Sequence, residues 1–99
     1  MSFVTALPAM LVSAAGELDS IGSAVAGGNA AAAAPTTGVV PAAADEVSAL
    51  TAAHFAAQGA LYQEVSAQAT AIHELFVSTL ATSAGAYAAT EAANAAAVH

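Results

Sequence analysis

The chain has 99 residues, of which 33 are Ala and only 25 are larger apolar side chains, and its seven carboxylates face no Lys or Arg at all. Without cations nothing displaces counterions from a phosphate backbone or grips an anionic lipid surface, so nucleic-acid binding and electrostatic membrane adhesion are excluded. The absence of Cys removes disulfides, thiolate nucleophiles and Cys-ligated metals.

One small domain at most fits this length. Ala has the best helix propensity, yet burying its methyl group gains little, so such a chain forms helices readily and holds them together poorly. The amino terminus, Met1-Ser2-Phe3, lacks the basic region and apolar core of a general secretory signal.

Pro8 suits the first turn of a helix, predicted over about 8–33. Leu7, Leu11, Ala14, Leu18, Ile21 and Val25 step by four and three, a seven-residue repeat that keeps one seam facing a neighbouring helix. The span from Ile21 to Ala44 carries no charge, but Gly22, Gly27, Gly28, Asn29, Pro35, Gly38 and Pro41 interrupt it and no basic residue flanks it. No membrane span is therefore expected. Pro35-Thr36-Thr37-Gly38 with Pro41 predicts a turn over 35–41.

A second helix is predicted over about 42–84, with Asp45 and Glu46 near the positive end of its dipole. Its apolar positions, Val47, Leu50, Phe55, Leu61, Tyr62, Val65, Ile72, Phe76 and Leu80, form a face broader than one neighbour requires. Residues beyond 84 read as a tail.

The fold class that follows is all-α, an antiparallel two-helix hairpin that completes a four-helix bundle with a partner chain. A hairpin touches along one line, while ordering roughly 70 residues costs about 1–2 kcal/mol each in backbone entropy. A bundle of four buries the broad stripes of both helices. A second copy would bring carboxylates together uncompensated, which favours a different chain that carries basic residues. A self-associating bundle is the alternative.

The opening Met1-Ser2-Phe3-Val4, Pro8 and above all the stretch PTTGVVPAAADEVSALTAAHF from Pro35 to Phe55 resemble the PE family of mycobacteria. Tyr62, Ile72-His73-Glu74 with Phe76, and Tyr87-Ala88-Ala89-Thr90-Glu91 are similar too. The family's name comes from a Pro-Glu pair near the start; here Ala9 follows Pro8. The resemblance implies a hairpin that forms a heterodimer with a PPE-family protein through a mostly apolar four-helix interface. It implies export through a type VII (ESX) system after folding in the cytosol, with an EspG-type chaperone gripping the PPE partner. It also implies a signal of Tyr followed four residues later by an acid, which Tyr87 and Glu91 fit, and hence a secreted or cell-envelope location. A second functional reading is an envelope component in which a PE/PPE pair helps small solutes cross the outer membrane.

The remaining candidate chemistry is weak. His54 and His73 are nineteen residues apart, roughly 28 Å along one helix, so they cannot share an ion. His99 adds no metal-ligand spacing, and His73-Glu74 lacks the second His of a zinc protease. No two glycines are four apart, so there is no G-x-S-x-G elbow. Neither catalysis nor a cofactor is expected.

Overall fold

The computed structural model describes residues 5–98. Two helices make up the fold, α1 (Pro8–Thr37, 30 residues) and α2 (Glu46–Ala97, 52 residues), with no strand among the described residues.

Both helix ends at the loop differ from the sequence expectation. The predicted turn over 35–41 begins too early, because α1 runs through Pro35 to Thr37. Pro35 has no N–H to give the Ala31 carbonyl, yet α1 runs on for two more residues. The Thr36 hydroxyl donates to the Ala32 carbonyl at 2.6 Å, the Thr37 hydroxyl to Ala33 at 2.7 Å, and the Gly38 N–H to Ala34 at 3.0 Å.

The second helix starts at Glu46 rather than near 42 because Asp45 caps it. One oxygen of the Asp45 carboxylate accepts from the Ser48 N–H at 3.2 Å and the other from the Ser48 hydroxyl at 2.6 Å. These bonds, the hydroxyl first, hold the Asp45 carboxyl below its ordinary pKa. At its far end α2 continues well past residue 84 to Ala97, so residues 87–91 lie within the helix.

The chain divides into two compact units, 1–22 with 73–99, and 23–72. In each, a stretch of α1 lies antiparallel to a stretch of α2. Only Ala15, Ala52 and Ala84 are buried among the described residues. Each contributes about one methyl group, of the order of 0.8 kcal/mol.

Candidate partner interface and export motif

The inner row of the hairpin consists of small and polar side chains. Along α2 the less exposed positions step by four and three: Ala52, Ala56, Gly59, Gln63, Ser66 and Thr70 in the unit 23–72, then His73, Val77, Leu80 and Ala84 in the other. Along α1 the corresponding row is Leu11, Ala15, Leu18 and Gly22 in one unit, and Ala26, Asn29 and Ala33 in the other. Small residues in such rows let two backbones come close. A Cβ at Gly59 would run into the backbone of Thr36.

Hydrogen bonds set the register within each unit. In 23–72 the Tyr62 hydroxyl donates to Asn29 Oδ1 at 2.7 Å, and Gln63 Nε2 donates to the Asn29 carbonyl at 2.9 Å. In the other unit His73 Nε2 donates to the Leu18 carbonyl at 2.6 Å, which places the ring proton on that nitrogen. None of these polar residues was singled out as structural from the sequence. Their signal was polar side chains recurring at helical spacing inside Ala-rich segments.

The large apolar residues lie elsewhere. Of the predicted interface, Leu11, Leu18 and Leu80 are half-buried inside the hairpin. Leu7, Ile21, Val25, Val47, Leu50, Phe55, Leu61, Tyr62, Val65, Ile72 and Phe76 are all exposed. The single α1 seam read from the sequence is therefore two sets, one facing α2 and one facing outward. Met10, Val12, Val40 and Leu75 are further exposed apolar residues that the sequence reading passed over. Val39 and Val40 in the loop, with Val47, Thr51 and Phe55, line an open hollow of about 220 Å³ at the loop end of the unit 23–72.

Part of the exposed set gathers beside the inner row on one side in each unit. Phe55, Tyr62 and Phe76 each precede an inner-row residue of α2 by one position, so they border the row on a single side, with Val65 and Ile72 next around the helix. Ala53, Ala60, Ala67 and Glu74 border the opposite side. On α1, Ile21 likewise precedes a row position and Leu7 precedes the half-buried Pro8, whereas Val12 and Asp19 each follow a row position. In an antiparallel pair, positions preceding the two rows fall on the same side. Leu7 and Ile21 therefore share a side with Phe76 in one unit, and Val25 shares one with Phe55 and Tyr62 in the other. Ala53, Ala60 and Ala67 in one unit, and Glu74, Asp19 and the exposed Val12 in the other, lie on the reverse side.

Tyr87 and Glu91 lie one helical turn apart near the end of α2. Tyr87 is exposed. Glu91 is half-buried, and its Oε1 accepts from the Ala6 N–H at 3.3 Å across 85 residues of sequence. His54 is exposed, and no group of three potential metal ligands occurs among the described residues. The opening residues Met1–Val4 and His99 lie outside the described residues. No helix among the described residues is long and apolar enough to cross a membrane.

The model of the PE family matches residues 4–94. The chain belongs to the PE family. It is 71% identical over 97 residues to the PE family protein PE13 of Mycobacterium tuberculosis (strain ATCC 25618 / H37Rv), covering 98% of both chains. It is 57% identical over 94 residues to PE family protein PE8 of the same strain, covering 95% of this chain and 34% of that one. To PE cleavage protein A of that strain it is 54% identical over 92 residues, covering 93% of this chain and 16% of that one. The chain thus spans nearly all of one PE relative and a minor share of the longer ones. Ala9 stands in this mycobacterial PE chain where the family's name has Glu, and α1 forms from Pro8 without an acidic residue in its first turn.

Proposed function

We propose that this PE chain is a secreted, non-enzymatic interaction subunit that forms an obligate heterodimer with a PPE-family protein. The observation that carries the reading is the large apolar surface that each unit leaves in solvent. Val65, Ile72, Phe55, Tyr62, Phe76 and Ile21 remain in solvent in the hairpin, while its own contact row holds only small, polar and a few aliphatic side chains. Exposed rows of this kind mark partner surfaces. Partner helices laid on that surface in each unit give the four-helix bundle.

Export follows in the same reading. Tyr87 and Glu91 form the signal recognised by a type VII secretion system, and an EspG-type chaperone holds the pair through the PPE chain. The destination is the medium or the cell envelope.

Co-expression with candidate PPE proteins tests the pairing. A soluble one-to-one complex from a chain that alone is insoluble or poorly folded supports it; a lone chain that melts cooperatively as a monomer refutes it. Fractionation tests the destination. Release into medium supports the export reading, and retention that only detergent reverses favours envelope transport.

A further inference from the structure

We infer that Asn29 is a positioning residue for partner recognition, holding the Tyr62 ring in the orientation that the partner meets. The inference rests on the docking reading above and adds a residue outside the apolar face to it.

Tyr62 belongs to that face and is 55% exposed, yet its hydroxyl is held at 2.7 Å by Asn29 Oδ1. The next residue, Gln63, holds the Asn29 main chain through its carbonyl at 2.9 Å. Two consecutive residues of α2 thus grip the side chain and the backbone of one residue of α1. Phe55 and Phe76, the other aromatic rings on the face, have no polar atom by which they could be tied.

Asn29 is otherwise hard to account for. It is the single Asn of α1 and follows Gly27-Gly28, so three poor helix formers stand together in an Ala-rich helix. A residue that opposes local propensity without burying apolar surface points to a role in a specific contact. The contact is the tether. An exposed Tyr samples several rotamers, and immobilising such a side chain on binding weakens association by about two- to tenfold. A ring already held avoids that loss, and aromatic anchors of this type dominate helical interfaces.

The test uses the purified complex of the full chain with its PPE partner, reading dissociation by exchange against excess labelled chain. Tyr62→Phe and Asn29→Ala should each speed dissociation by about two- to tenfold, and the double variant no more than the faster single one. Asn29→Asp, which keeps an acceptor oxygen for the hydroxyl, should restore the slow rate. Gln63→Ala leaves the Tyr62–Asn29 pair in place, so its effect should add to that of Tyr62→Phe. Unchanged rates in both single variants, or simple additivity of Tyr62→Phe with Asn29→Ala, would overturn the inference. So would failure of Asn29→Asp to rescue in a complex that still forms. Absence of any complex from the unmutated chain would instead sink the docking reading, and this inference with it.

Discussion

The imidazole of His73 occupies the space that a side chain on residue 22 would need. A Cβ at Gly22 would stand 2.6 Å from the ring, whose Nε2 is bound to the Leu18 carbonyl. Three α1 glycines, Gly16, Gly27 and Gly28, have nothing within 4 Å of an added Cβ, so only local propensity decides there.

Substituting glycines one at a time separates close approach from propensity. Gly16→Ala should stabilise by about 0.5–1 kcal/mol, the ordinary gain from Gly to Ala in a helix. Gly22→Ala should lose that gain, because the ring must swing away from the Leu18 carbonyl and a bond of about 1 kcal/mol goes with it. Gly59→Ala should be the worst, destabilising by about 1–3 kcal/mol, because it meets the Thr36 backbone rather than a movable ring. Thermal midpoints of the three complexes check this order, and a Gly59→Ala complex as stable as wild type contradicts it.

Asp45 gives a pH-dependent term whose sign is set. Its carboxyl is held below the ordinary value by the Ser48 hydroxyl and N–H, so the folded state favours the charged form. That stabilisation is present at neutral pH and is lost as pH falls through the ordinary carboxylate range to the lowered folded value. Ser48→Ala should move the Asp45 titration back up, as read by carboxyl carbon shifts. An unmoved titration would show that the Ser48 hydroxyl does not set it.

A charge on the apolar face should separate binding from folding. Val65→Lys and Ile21→Glu put an unpaired charge on the proposed partner surface and should weaken the complex by on the order of 100-fold or more. Ala60→Lys on the reverse side should leave affinity within about threefold, in line with the small effect of surface substitutions. Pull-down with equal input of each variant measures this. Equal losses on both sides would mean that the interface is not one-sided.

At the export motif, Glu91→Gln keeps an oxygen for the Ala6 N–H and removes the charge, whereas Glu91→Ala removes both. The hydrogen bond is a long one at 3.3 Å, so its loss should cost no more than about 1 kcal/mol. The Tyr87→Ala, Glu91→Ala pair should leave the heterodimer intact and abolish secretion, scored by comparing medium with cell lysate. Secretion at wild-type levels would remove the motif assignment.

The two-helix architecture was legible because Pro8, the Pro35–Pro41 cluster and the Asp45-Glu46 pair are strong punctuation. The helix ends were less so. Proline normally stops a helix, but α1 runs two residues past Pro35, where the Thr36 and Thr37 hydroxyls and the Gly38 N–H bond to Ala32, Ala33 and Ala34, an ending that residue types alone do not specify. The large side chains of the candidate interface were readable by type and period. Their division between inner row and outer face was not, because Leu18 and Ile21 both satisfy a seven-residue repeat. Which of them turns inward depends on where Gly22 allows His73 to enter. The alanines, spread over every face, could not break the tie.

The separation of the two rows also bears on how such a scaffold changes over time. Register is written in Gly22, Gly59, Asn29 and His73 with the hydroxyl of Tyr62, whereas Phe55, Val65 and Ile72 make no hydrogen bond inside the hairpin. Exchanging Phe55, Val65 or Ile72 for other bulky residues leaves the inner contacts untouched, so one backbone can be readdressed from one companion to another without being rebuilt.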